Sequence, residues 1–195
     1  MILEYRGISL MSKMIRFFSF LRFWTQRTKL YSHASWTFAE IFDGHLTGDL
    51  SEWESWQKGG VSHSEKIGTN HTKGTRVDLY ELREPLTRDD KELGVLFLTA
   101  QLGKKYDWRG IFGVLLRKDS HNTDKWFCCE LVLAFLRVMG RMMLQYIEPY
   151  QTVPGILTTS PDVTYKGYIV LNDDHDFKVY QDSAVPDILS VIKKA

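Results

Sequence analysis

Apolar and polar positions change period several times along the chain, and each change marks an element. Ile2–Tyr5 is a short apolar run closed by Gly7, which reads as a strand turning into a helix. From Leu10 to Thr25 the apolar positions Met14, Ile15, Phe18 and Leu21, with Phe20 and Phe23 beside them, fall at helical spacings. Lys13, Arg16 and Arg22 interrupt every apolar run there before it reaches the roughly 20 residues of a bilayer crossing. The segment is therefore expected to be an amphipathic helix packed on the core, with a membrane-surface helix as the alternative.

Tyr31–Phe42 is rich in aromatic and small residues and reads as strand; Asp43-Gly44 then signals a hairpin, since both residues tolerate positive φ. His45–Leu50 would be the return strand, and Ser51–Gly60, carrying Trp53 and Trp56, a loop. Thr75–Leu82 suits a strand with at least one buried face. Thr87 opens a helix with Asp89 and Asp90 in its first turn, where negative charge meets the positive helix end; Gly103 stops it. Asp107 caps a shorter helix through Arg117, and the polar stretch Lys118–Asp124 separates it from Trp126–Met139. That last segment is apolar nearly all round, the pattern of a buried helix ending at Gly140. Strands Tyr165–Leu171 and Phe177–Gln181 and a short terminal helix complete the expectation, an α+β fold in which an antiparallel sheet or small barrel packs on helices.

Length and composition narrow the function. The chain's 195 residues fit one domain, 1–195, with a core over roughly 2–140 and a C-terminal extension over 141–195. The 25 Lys and Arg against 24 Asp and Glu provide no single-sign field, so a nucleic-acid partner is not expected, nor is a transmembrane segment. Cys128 and Cys129 are the two cysteines, and being adjacent they cannot staple distant parts of the chain. Free thiols fit a reducing compartment better than an oxidising one but leave the localisation open; without a clear signal peptide, a cytoplasmic or phage-associated setting is favoured. Asn70-His71-Thr72 matches a glycosylation acceptor pattern, which matters only in a secreted eukaryotic protein.

The chemistry concentrates on Cys128. At the first turn of a helix its thiolate would be stabilised by the helix's positive end, which makes a nucleophile at neutral pH. The competing reading is packing, because Leu131, Val132, Phe135 and Met139 share its face and free cysteine is among the most buried residue types. A thiol nucleophile needs a base, and of the six histidines His33 lies in an aromatic strand pattern, where its ring is held at a fixed angle; it too has a core-residue reading. His63, His71 and His175 sit in polar loops and are expected to be solvated, and His121 is close to Cys128 but on a loop. Adjacent cysteines lack zinc-ligand spacing, no HExxH occurs, and no phosphate-cradling or dinucleotide glycine loop is present, so neither metal nor cofactor is expected.

The ordered elements YSHAS, DG, GGV, VDLYEL, YDWRGIFG and WFCCELV resemble the circularly permuted NlpC-type branch of the papain-like cysteine peptidases, which has phage and bacterial members. The resemblance covers roughly residues 2–140 and implies a permuted papain-like fold. It implies Cys128 as nucleophile and His33 as general base, with Cys129 in a packing role and Glu130 supporting the local structure. A polar residue after the hairpin would orient the histidine; the candidates are His45, Thr47 and Asp49, and Asp49 is chosen because a carboxylate stabilises the protonated ring. Ser35 stands where some relatives have an acid. Tyr106 aligns with the family's YDW element and is implied either as an oxyanion donor or as a packing residue; Trp53, Trp56 and Trp126, as aromatic side chains, suit either a substrate groove or core filling. The function implied is Cys-His acyl transfer on an amide, in a peptide or peptidoglycan. The alternatives are a lipid acyl hydrolase or acyltransferase of the same fold, or a non-catalytic phage or structural binding module.

Overall fold

A computed structural model of the protein describes residues 1–108 and 124–182. Its centre is a six-stranded antiparallel sheet. In chain order the strands are β1 (Ile2–Tyr5), β2 (His33–Trp36), β5 (Glu52–Trp56), β6 (Gly60–Ser64), β7 (Arg76–Leu82) and β10 (Val163–Val170), arranged β10-β7-β1-β2-β5-β6. A hairpin of β3 (Glu40–Phe42) and β4 (His45–Thr47) turns through Asp43 and Gly44, both at positive φ. The Asp-Gly signal thus holds, but Tyr31–Phe42 is not one strand: Thr37–Ala39 divide it between two sheets. Two short parallel strands, β8 (Lys105–Tyr106) and β9 (Lys125–Trp126), bring the YDW element beside the WFC element.

Three α-helices are described, α1 (Leu10–Phe23), α2 (Arg88–Gln101) and α3 (Cys128–Val138). Thr87 caps α2 as expected, its hydroxyl accepting from the Asp90 amide while the Asp90 carboxylate accepts from the Thr87 amide. α3 is the buried helix the sequence indicates: its residues from Cys128 to Leu133, then Phe135 and Leu136, are all buried. It packs with α2 on one face of the sheet, against Ile2, Ala34, Trp36, Trp53 and Tyr80. Period-2 alternation sends Leu3, Tyr5, Val77 and Leu79 to the other face, where Leu46 of the hairpin, Ile67, Leu171 and Phe177 cover them.

α1 departs from expectation. Only Ile15 and Ser19 are buried, while Leu10, Met14, Phe17, Leu21 and Trp24 face outward. Apolar residues occur on every side of this helix, so spacing alone does not reveal which side packs. Ser51–Gly60 is likewise not a loop, since Glu52–Trp56 form the interior strand β5. The Phe177–Gln181 segment makes isolated bridges, His45 with Lys178 and Tyr168 with Tyr180, in place of a strand. The helix expected from Asp107 through Arg117 and the terminal helix fall largely or wholly outside the described residues. β10 shows that the stretch after residue 140 contributes a strand to the central sheet. Among the described residues no helix is long and apolar enough to cross a membrane.

Candidate active site

Cys128 is the first residue of α3. Phe127 precedes it in extended conformation, and its amide, one of the donors a helix start leaves unpaired, reaches the Glu130 carboxylate at 3.1 Å. Glu130 therefore supports the local structure, as anticipated. The helix start abuts the end of β2, so that the His33 imidazole and the Ala34 backbone both act on the Cys128 sulfur and favour its ionised form. Two residues 95 positions apart in the chain are thereby brought together.

The electrostatics separate the two cysteines. Burial opposes ionisation of Cys128, but the Cys129 thiol's hydrogen bond, the charge and hydrogen bond of His33 and the Ala34 backbone outweigh it, and its pKa falls to about 5. The two sulfurs are 3.8 Å apart. Burial, reinforced by the neighbouring Cys128, pushes the Cys129 thiol well above the usual range, so Cys129 remains a donor to its neighbour. For His33, burial alone would lower the pKa; the charge and hydrogen bond of Cys128, followed by those of Glu54, raise it to about 10. The pair is a thiolate and an imidazolium across the neutral range.

Glu54 on β5 stands behind the imidazole, its Oε2 2.9 Å from His33 Nε2. At this distance the two groups form a buried ion pair once the ring is protonated. Despite full burial, hydrogen bonds and charge from His33 and His71 hold the Glu54 carboxyl far below the usual carboxylate range. His71 Nε2 lies 3.2 Å from the same Oε2, and Asn70 Nδ2 donates to Oε1 at 2.7 Å. The His71 ring stacks on Tyr5 at 3.9 Å between centroids and meets Trp56 edge-on at 4.7 Å. Glu52, two residues earlier on the same strand, accepts from the Tyr5 hydroxyl and from the Gly68 amide at 2.8 Å. Its burial, and then the Glu54 charge, raise its pKa.

The expected third residue is replaced. Asp49 is exposed in the turn after β4, where its Oδ1 accepts from the Ser51 amide at 3.0 Å. His45 and Thr47 point to the hairpin, His45 Nδ1 pairing with the Asp43 carbonyl and Thr47 donating to the Glu40 carbonyl. Residues 43–50 belong to a hairpin outside the central sheet, and β5, next to β2, carries the carboxylate that meets the ring. The sequence does contain a signal for this: in Glu52-Trp53-Glu54-Ser55 the acids alternate with residues that face the helix side, the period of a strand. His71, read as solvated, is instead held at the site by its stacking and by Glu54.

Tyr106 is buried beside the start of α3, close enough for the charge at Cys128 to act on its hydroxyl, and its ring meets Phe127 edge-on at 5.7 Å. Burial, then the charge at Cys128, raise its pKa well above the usual value, so it stays a donor. Trp56 borders the site, with its ring 5.6 Å from His33. Trp126 is in the core, donating to Gln101 at 3.1 Å, and Trp53 stacks on His63 at 4.1 Å. Ser35 is fully buried on β2. Compared with models of known families and with curated proteins, the chain matches neither.

His33, Glu54 and His71 present donor atoms within 4.8 Å of one another, a set able to hold a divalent ion. Glu54 is already paired there with both rings, so an ion would have to displace that pairing. Cys128 is 0% exposed and His33 5%, so an acyl group reaches the sulfur only when the covering side chains give way.

Proposed function

We propose that the protein is a thiol hydrolase acting by acyl transfer, with Cys128 as nucleophile, His33 as acid and base, and Glu54 orienting the ring. The observation that carries this reading is the contact of a helix-start thiol with an imidazole backed by a buried carboxylate. In the first step the Cys128 thiolate attacks the acyl carbon and a C–S bond forms. The oxyanion is met by the Cys128 backbone amide at the positive end of α3 and by the Tyr106 hydroxyl. The amine departs as its C–N bond breaks and takes the proton from the His33 imidazolium. Neutral His33 then removes a proton from water, which attacks the thioester; the acid leaves and the thiolate-imidazolium pair is restored.

The substrate class proposed is an amide, in a peptide or in peptidoglycan, in keeping with the resemblance to permuted NlpC-type peptidases; the α+β fold is proposed to be a permuted papain-like one. A lipid acyl bond is the second reading, favoured by the apolar side that α1 presents to solvent.

The test is adduct mapping after a brief reaction with p-nitrophenyl acyl esters and with coumarin amides of short peptides. An acyl adduct is expected on Cys128, absent in Cys128→Ser and reduced about 100-fold or more in His33→Ala, with no effect of EDTA. Adducts on Cys129 instead, or turnover that survives Cys128→Ser, would refute the assignment.

A further inference from the structure

The face of α1 that the fold leaves uncovered has a regular composition. Leu10, Met14, Phe17, Leu21 and Trp24 recur at intervals of four, three, four and three residues, the spacing of a single row along a helix. All five are exposed, Leu10 by 76%, Phe17 by 58% and Trp24 by 74%, and Ile8 extends the row at its start. Ile15 and Ser19 hold the opposite side against the protein. The helix of 14 residues is about 21 Å long, too short to span a bilayer and suited to lie along one.

The charge around the row is of one sign. No acidic residue occurs between Glu4 and Glu40, whereas Lys13, Arg16, Arg22, Arg27 and Lys29 all do. Arg27 is committed to the Thr158 carbonyl at 2.6 Å, and Lys29 lies over the Phe20 ring at 4.0 Å. Lys13 and Arg16 flank the row. Trp24 closes the helix at positive φ with its ring in solvent, a side chain that favours the boundary between water and acyl chains. A row of large apolar side chains bordered by cations, with no anion to repel phosphate, is complementary to an anionic lipid surface.

We propose that α1 docks the protein on anionic membranes, its apolar row seated at the acyl boundary and its basic residues on the headgroup phosphates. The start of the helix also adjoins the site: the Gly7 amide donates to the Ser32 hydroxyl at 3.2 Å, and Ser32 directly precedes His33. A Cβ at Gly7 would lie 2.3 and 2.6 Å from the Ser12 and Ser32 hydroxyls, so both serines would have to turn away to admit one. The bilayer thus meets the protein near the end of β2 that carries His33. The docking itself does not depend on the hydrolase reading.

The test is sedimentation of the intact protein with vesicles of phosphatidylcholine alone or with 30% phosphatidylglycerol. Binding is expected to be at least ten-fold tighter to the anionic vesicles and to weaken in high salt. Phe17→Glu with Leu21→Glu should lose at least ten-fold while retaining the unfolding midpoint, because neither side chain belongs to the buried core. Lys13→Glu with Arg16→Glu should erase the preference for anionic lipid. The vesicle-induced blue shift of tryptophan emission should be lost in Trp24→Phe. Cys128→Ser should bind as the unaltered protein does, which separates failure of docking from failure of catalysis. Lack of binding, equal binding to both vesicles, or unaltered binding by the α1 variants would overturn the proposal. So would a dimer that Phe17→Glu with Leu21→Glu converts to monomer, since the face would then serve a second copy.

Discussion

Glu54 determines how His33 is held. A buried carboxylate 2.9 Å from Nε2 fixes the ring against Cys128 and stabilises its protonated form. Glu54→Gln keeps the shape and removes the charge, so acyl transfer to Cys128 should fall by about 10²–10⁴ with substrate affinity little changed. Glu54→Asp should recover part of the loss; equal activity in Glu54→Gln would remove Glu54 from the site. At this scale the sequence is informative about Cys128, His33 and Tyr106, because Cys128 begins a buried helix and His33 sits in an aromatic strand. It misdirects on the third residue and on His71. Which carboxylate meets a ring depends on which strand lies beside β2, and Asp49 and Glu54 are only five residues apart with a change of sheet between them.

The elements with the clearest local signals are those the structure reproduces. α2 has its cap and first-turn acids, α3 its apolar run, β1 and β7 their short apolar patterns, and the hairpin its Asp-Gly turn. β5 is less legible because buried glutamates interrupt the apolar pattern by which strands are recognised; their partners, Tyr5, His33, Asn70 and His71, come from elsewhere in the chain. α1 is legible as a helix but not in its orientation. The contact between α2 and α3 carries its own prediction. A Cβ at Gly94 would lie 2.4 Å from a Phe135 ring carbon and 2.8 Å from the Met139 sulfur. Gly94→Ala should therefore destabilise the protein by about 1–3 kcal/mol, even though alanine favours the helix, as measured by denaturant unfolding. A stabilised variant would mean that the two helices do not approach so closely.

At the scale of the whole molecule, the fold is built around buried charge as well as apolar packing. The helix-side core seats Cys128 at the start of α3, while Tyr5, His33, Glu52, Glu54 and His71 form a polar cluster at the sheet. The α+β class follows from local periodicity, but the strand order and the entry of β10 beside β7 depend on long-range pairing that no local pattern encodes. The ion pair links this architecture to pH. The His33 contribution, from a raised pKa, is complete below the ordinary value near 6.5 and is lost as pH rises through about 10. The Cys128 contribution, from a depressed pKa, is complete above the ordinary thiol value and is lost as pH falls through about 5. Between about 5 and 10 both charges coexist, so acyl transfer should show a plateau there and decline on either side.

The most direct test of the account is the ultraviolet absorbance of the thiolate near 240 nm, taken as the difference between the unaltered protein and Cys128→Ser across pH. It requires no reagent to enter a closed site. A thiolate is expected to appear with a midpoint near 5, and that midpoint to move up by several pH units in His33→Ala. A midpoint at the ordinary thiol value in the unaltered protein, or one that His33→Ala leaves in place, would contradict it.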